Sequence, residues 1–170
     1  MKRLLYTLLM AVAISVPSFA QSGSNRMVAG LGALYERGLD ATIGVEHETK
    51  HHNAWEFFVN GYIKYSVDKE AGHITEKSFW QNYRTWGVGA AYKPCVYIGK
   101  NHYGCLRLGG SCGSDTEEVV GWAHVGYEQN FVLRRGWQVY LQVKSDVCIN
   151  GRDIFRTGIV VGVKIPTERH

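Results

Sequence analysis

The sequence predicts an all-β protein: a single antiparallel, up-and-down β-barrel of about eight strands, of the outer-membrane type. Three observations lead to this prediction. Apolar and polar residues alternate with a period of two along most of the chain, the apolar faces carry no charged residue, and aromatic residues stand at the ends of those faces. The prolines outside the N-terminal segment, Pro94 and Pro166, fall at predicted strand ends, where a sheet tolerates them.

Residues 1–20 are predicted to be a cleavable signal peptide. Lys2 and Arg3 precede an apolar stretch, residues 4–16, that is too short to span a bilayer as a helix. Small residues then stand where a signal peptidase reads, and cleavage between Ala20 and Gln21 would start one exported domain, residues 21–170. We therefore expect the cell envelope, and specifically the outer membrane, as the location. An uncleaved anchor helix is the alternative.

Seven segments show clear alternation, and an eighth is weaker. The clear segments are residues 39–46, 55–67, 85–92, 106–109, 119–128, 137–144 and 155–165. The weaker segment covers residues 27–35, where a short helix is the rival interpretation. An even number of strands allows the sheet to close, and closure leaves no bare strand edge in hydrocarbon.

The apolar faces distinguish a membrane barrel from a soluble one. Aromatic residues at the ends of these faces are predicted to form girdles at the two membrane interfaces: Trp55, Tyr65, Trp86, Tyr92, Tyr127, Trp137 and Phe155. A soluble sandwich also has one charge-free face, and it remains the alternative.

The opposite faces carry charges of both signs. A narrow lumen would bury them, so we expect them to form a compensating ion-pair network with a structural role. The predicted members are Glu46, Glu56, Lys64, Arg107, Glu128, Lys144, Asp146, Arg156 and Lys164. A proton path or a carboxylate pair for acid–base catalysis is the alternative interpretation.

The four cysteines, Cys95, Cys105, Cys112 and Cys148, are candidates for disulfides, because all follow the cleavage site. Cys95 and Cys105 are predicted at one end of the barrel, and Cys112 and Cys148 at the opposite end. Cys105 and Cys112 would lie about 23 Å apart on one strand, so a disulfide between the two ends is excluded. The remaining pairings are Cys95 with Cys105 and Cys112 with Cys148. Free thiols are the alternative for the second pair. A zinc site would need a closer cysteine pair, which the sequence lacks.

No motif for catalysis, cofactor binding or metal binding stands out. The nucleophile-elbow, phosphate-loop and H-E-x-x-H patterns are missing from the sequence. His47, His51 and His52 lie together, but at a predicted turn, and nothing singles out Ser111 or His124. We expect a non-enzymatic protein without cofactor or metal. Without Lys2 and Arg3 the formal charge falls from +4 to +2, so direct nucleic-acid binding is not predicted.

Three stretches carry a resemblance to a known family. They are residues 55–58 (Trp-Glu-Phe-Phe), residues 89–94 (Gly-Ala-Ala-Tyr-Lys-Pro), and residues 155–158 with 162–166 near the C-terminus. With them the chain resembles the TraO family of conjugative-transposon proteins of Bacteroidetes. The resemblance implies a component of a conjugal DNA-transfer apparatus that contacts other transfer proteins of the envelope and outer-membrane lipid. The alternatives are a barrel that binds proteins or surfaces through its loops, and a small barrel that modifies lipids.

Two features of the connections are also predicted. The longest connection, residues 68–82, should face outward, with Lys69 and Lys77 accessible and Lys100 on the other side of the membrane. In the last hairpin, a two-residue turn at Asn150–Gly151 would oppose an outward residue to an inward one. We therefore expect either a three-residue loop, residues 149–151, that sets Val139 opposite Val161, or a bulge.

Overall fold

A computed structural model describes residues 23–35, 37–66, 73–75, 78–79, 83–115, 117–149 and 154–167. This part of the chain forms nine strands: β1 (Asn25–Leu34), β2 (Gly38–Glu48), β3 (Ala54–Lys64), β4 (Tyr83–Lys93), β5 (Cys95–Ile98), β6 (His102–Ser114), β7 (Val119–Val132), β8 (Gln138–Ile149) and β9 (Phe155–Pro166). Short 3-10 turns occupy Lys50–His52 and Arg134–Gly136. The segment predicted as a signal peptide, with Ala20 and Gln21, lies outside the described residues.

Eight of the strands close into an antiparallel barrel, as predicted. Each strand pairs with its neighbour in the chain, β9 pairs back onto β1, and β4 pairs with β6 from Trp86↔Ser114 to Tyr92↔Leu108. Strand β5 lies outside this closed ring and extends the β4–β6 hairpin at one end. Closure gives every barrel strand two partners, which satisfies the backbone groups without water.

The two ends of the barrel differ. Strand β1 starts and β9 finishes at the end that we call the terminal rim, where the turns at 49–53, 94–101 and 133–137 also lie. The far rim carries the other connections, including the one between β3 and β4, residues 65–82. The end of β3 and the start of β4, which flank the predicted long loop, therefore lie at the rim opposite the start of β1 and the end of β9, whereas Lys69 and Lys77 fall outside the described residues.

Alternating burial follows the sequence pattern. In β1, Val28 is 1% exposed and Leu31 is 72% exposed, so the weakest predicted segment is a strand and not a helix. Strand β6 runs thirteen residues, far beyond the predicted 106–109. Its second half reads Gly109-Gly110-Ser111-Cys112-Gly113, and glycines on both faces hide the alternation that would have marked it.

The predicted register of the last hairpin is wrong by two residues. Val139 lies opposite Val163, and Val161 lies opposite Leu141. A shift of two residues leaves every side chain on its predicted face. The rule that opposed residues point to the same face therefore holds, although the paired residues differ from those predicted. Residues 150–153 themselves are outside the described range.

No helix within the described ranges is long and apolar enough to cross a membrane.

Candidate functional site

The part of the barrel interior nearest the terminal rim holds a compact ion-pair cluster. We call it the core network, and its members are Glu46, Glu56, Lys93, Arg107, Glu128 and Lys164. Lys93 Nζ lies 2.8 Å from carboxylate oxygens of both Glu46 and Glu128, and 3.0 Å from Glu56 Oε2. Lys164 Nζ bridges the same two carboxylates at 2.7 and 2.6 Å. Arg107 Nε donates to Glu56 Oε2 over 2.8 Å.

The core network is electrically balanced and excluded from water. Three carboxylates face three cations, and both lysines are only 1% exposed. Burying such charges costs several kcal/mol per ion unless each finds partners, which this arrangement supplies. The ring of Tyr140 packs beside the cluster, with Lys164 Nζ 5.6 Å from its centroid.

A second set of polar residues occupies the interior nearer the far rim. Lys144 Nζ contacts Asp40 Oδ2 at 2.5 Å and Asp146 Oδ2 at 2.9 Å. The other oxygen of Asp146 lies 2.7 Å from His124 Nδ1, and His124 Nε2 lies 2.6 Å from Ser111 Oγ. Spacing in the sequence could not reveal the line formed by Ser111, His124 and Asp146. These residues come from three strands, and their relative positions depend on the register of the whole sheet.

The structure places most of the predicted inward charges in these two sets. Arg156 belongs to neither set. Its Nη1 donates a hydrogen bond to Thr85, and its guanidinium packs 4.0 Å from the ring centroid of Tyr62. Lys64 is half-buried at the last position of β3. Lys93 was not among the predicted inward charges, because Pro94 marks a strand end and β4 extends one residue further than predicted.

Side chains fill the lumen, as expected for a barrel of this size. Phe58, Tyr62, Trp122 and Tyr140 are each no more than 4% exposed and point inward. Gly162 makes room for one of them, since a Cβ there would lie 2.5 Å from Tyr140 Cε1. The interior is therefore a packed core and offers no wide aqueous channel within the described part of the barrel.

The outer face is apolar and carries aromatic residues near both rims. Trp55 and Tyr92 are cross-strand partners near the terminal rim, with ring centroids 4.9 Å apart. Trp137 lies at the same rim, while Trp86, Phe155 and the half-buried Tyr65 lie towards the far rim. Tyr127 also faces outward, but it lies five residues before the end of its strand, because β7 continues to Val132.

The predicted disulfides are absent: all four cysteines are free thiols. Cys112 cannot reach Cys148, because Cys112 is exposed on the outer face while Cys148 is buried on the inner face. Cys95 and Cys105 are cross-strand partners, as the hairpin argument required, but their sulfurs are not bonded.

The histidines near the terminal rim have separate partners. His47 Nδ1 lies 2.7 Å from Asn25 Oδ1, and His52 Nδ1 lies 2.5 Å from Glu48 Oε1. Burial, and secondly the nearby Arg26 guanidinium, hold the pKa of His52 below its usual value of 6.5. Across the described residues, no three histidine, cysteine or acidic side chains converge on a point that could hold a metal ion.

Comparisons with known proteins bear on the fold alone. No protein-family model matches the sequence, and no curated protein matches it. A major outer membrane protein from Thermus thermophilus aligns over 86% of this chain and 100% of its own, with a TM-score of 0.53 at 10% identity. A de novo designed transmembrane β-barrel aligns over 86% of this chain and 98% of its own, with a TM-score of 0.49 at 9% identity. The chain thus has the fold of a closed, eight-stranded β-barrel of the outer-membrane type.

Proposed function

We propose that the protein is a structural, non-conducting barrel of the outer membrane that belongs to a conjugative DNA-transfer apparatus. The observation that carries the proposal is the packed interior. Charges held in place by ion pairs, with aromatic side chains around them, leave no path for a solute through the described interior. A barrel without such a path does not work as a channel, and its outer wall and two rims are the surfaces available for contact with other proteins.

The outer wall supports residence in the membrane. Most outward side chains along the strands are aliphatic or aromatic, as with Ile43 at 65% exposure and Val161 at 53%. Exposed apolar surface of this extent is costly in water and is favourable in lipid.

The resemblance to the TraO family supports the role in conjugation. Two of the stretches that carry it are neighbours in space: Trp55 pairs with Tyr92, and Phe57 with Ala90, on strands β3 and β4. They form one continuous surface beside the terminal rim. The third stretch forms the start and end of β9.

The terminal rim offers a surface for a partner protein. Val96, Tyr97 and Ile98 are all more than half exposed, and within the described part of the chain β5 pairs only with β6. A strand with one open edge can accept an extended segment from another chain. The turns of this rim carry Lys50, Lys100, Arg134 and Arg135 and no acidic residue, so we expect an acidic partner segment.

Mating experiments test the proposal. Deletion of the gene should lower the frequency of conjugal transfer, and the wild-type gene should restore it. The double variant Val96→Asp/Ile98→Asp should restore it poorly while still fractionating with outer membranes. Ile154→Asp is the matched control, since Ile154 is 60% exposed at the far rim and should leave transfer intact. Unchanged transfer in the deletion strain would refute the role in conjugation.

Planar-bilayer recordings test the non-conducting interior separately. The purified barrel should insert without opening steady channels. It should also migrate faster on a denaturing gel before boiling than after, as stable closed barrels do. Regular single-channel steps from the wild-type protein would contradict a filled lumen.

A further inference from the structure

Three inward side chains on consecutive strands form a continuous hydrogen-bonded line. Ser111 lies on β6, His124 on β7 and Asp146 on β8, with contacts of 2.6 Å from Ser111 Oγ to His124 Nε2 and 2.7 Å from His124 Nδ1 to Asp146 Oδ1. His124 and Asp146 are direct cross-strand partners. The core network includes none of the three, and the structural role does not use them.

We propose that Ser111, His124 and Asp146 form a catalytic triad that cleaves acyl esters. The arrangement meets the geometric criterion for an activated nucleophile, in which a hydroxyl contacts a base that is itself oriented by a third group. The inference does not rest on the proposed role in conjugation. The sequence led us to expect a non-enzymatic protein. That prediction is opposite to this proposal, and the experiment below tests both.

Each residue has a distinct part in the reaction. Ser111 Oγ attacks the ester carbonyl carbon while its proton passes to His124 Nε2, and the tetrahedral intermediate then loses the alcohol, which takes that proton. Water, deprotonated by the same imidazole, attacks the acyl-serine and releases the carboxylic acid and free Ser111. Asp146 is a positioning residue that holds the imidazole with Nε2 towards the serine.

The surroundings fix the triad in place. Lys144 contacts Asp146 Oδ2 at 2.9 Å, which leaves Oδ1 for the histidine. The ring of Phe58 meets the imidazole edge-on, with centroids 5.4 Å apart. His124 is 4% exposed and Asp146 is 2% exposed, so both are held in a rigid, dry environment.

We assign Trp122 Nε1 as the hydrogen-bond donor to the developing oxyanion. Trp122 is the cross-strand partner of Ser111 and lies two residues before His124 on the same face of β7. Its Nε1 is buried and has no hydrogen-bond acceptor among the described residues, and the whole residue is 3% exposed. A buried N–H group left without an acceptor is costly, and a substrate oxyanion would satisfy it.

The site's position indicates the substrate class. Ser111 keeps partial exposure and lies three residues before the end of β6, about 10 Å below the far rim. The neighbouring Phe58 and Trp122 rings are apolar. We therefore expect the carboxylic ester of a fatty acyl chain as the substrate.

Active-site labelling of the folded barrel in detergent micelles tests the triad. A fluorophosphonate probe should add to Ser111, identified by peptide mass mapping, and the protein should hydrolyse a long-chain p-nitrophenyl ester. Ser111→Ala should lose the adduct and lower hydrolysis by about 10³-fold or more. Ser145→Ala is the matched control, because Ser145 faces outward on β8, bonded to Thr157 Oγ1 at 2.8 Å, and it should keep both activities.

Further variants separate catalysis from structure. Asp146→Asn should slow hydrolysis and shift the pH–rate profile, which the loss of a purely structural contact would not do. The faster gel migration of the unboiled protein shows whether each variant has folded. A folded wild-type barrel that takes no probe at Ser111, or a folded Ser111→Ala variant with undiminished hydrolysis, would overturn the proposal.

Discussion

Replacing Lys164 by methionine removes one charge from the core network and keeps an unbranched side chain that is one heavy atom shorter. Lys164 contacts Glu46 and Glu128 and is only 1% exposed, so its loss leaves three buried carboxylates against two cations. Breaking a buried pair in this way costs about 3–5 kcal/mol, which lowers the folding equilibrium constant by roughly two to four powers of ten. Lys50→Met, at an exposed turn, should change stability by less than about 0.5 kcal/mol.

A double variant separates lost charge from lost packing. Lys164→Met/Glu128→Gln leaves two carboxylates facing two cations, so it should recover much of the stability that the single variant loses. The free energy of unfolding of both variants is measured by urea unfolding of the barrel in lipid vesicles, followed by the fluorescence of its five tryptophans. A cost below about 1 kcal/mol for Lys164→Met, similar to that of an exposed ion pair, would refute the view that these charges form a dry, coupled core.

Three further predictions concern the wall and the rims. Gly113→Ala should destabilise the barrel by about 1–3 kcal/mol, because its Cβ would lie 2.5 Å from Gly87 Cα, whereas Gly61→Ala enters open space and should cost almost nothing in the same unfolding assay. NMR titration should find His52 titrating below 6.5, and Arg26→Gln should raise that pKa while Arg37→Gln, at the far rim, leaves it unchanged. Because the folded-state pKa is lowered, the contribution of His52 to stability is present above pH 6.5 and is lost as the pH falls through the folded value. Non-reducing peptide mapping after mild oxidation should yield no peptide linking Cys112 to Cys148, and finding one would contradict their opposite orientations.

The period-two pattern predicted the strands well where both faces have a clear character. In β3, Trp55, Phe57 and Val59 are exposed while Glu56 and Phe58 are buried, as their alternation requires. The pattern failed in β6, where glycine on both faces removes the contrast. It could not fix the register of the β8–β9 hairpin, because a slip of two residues keeps all side chains on the same face.

The interior polar residues were predictable as a set but not as partners. Alternation places Glu46, Glu128 and Lys164 inside, yet which lysine bridges which carboxylate depends on the stagger of strands distant in sequence. Ser111, His124 and Asp146 show the same limit. Each lies on an inward face, and only the closed sheet brings them into line.

Lipid contact along β8 is the most direct test of the central claim that this wall spans a membrane. Spin labels would be placed at the outward positions Val139, Leu141, Val143, Ser145 and Val147, and the barrel reconstituted in vesicles. Collision with oxygen, relative to a water-soluble nickel complex, should be greatest near Val143 and fall towards both rims. Labels that collide mainly with the nickel complex at all five positions would show that the wall faces water and would contradict the account.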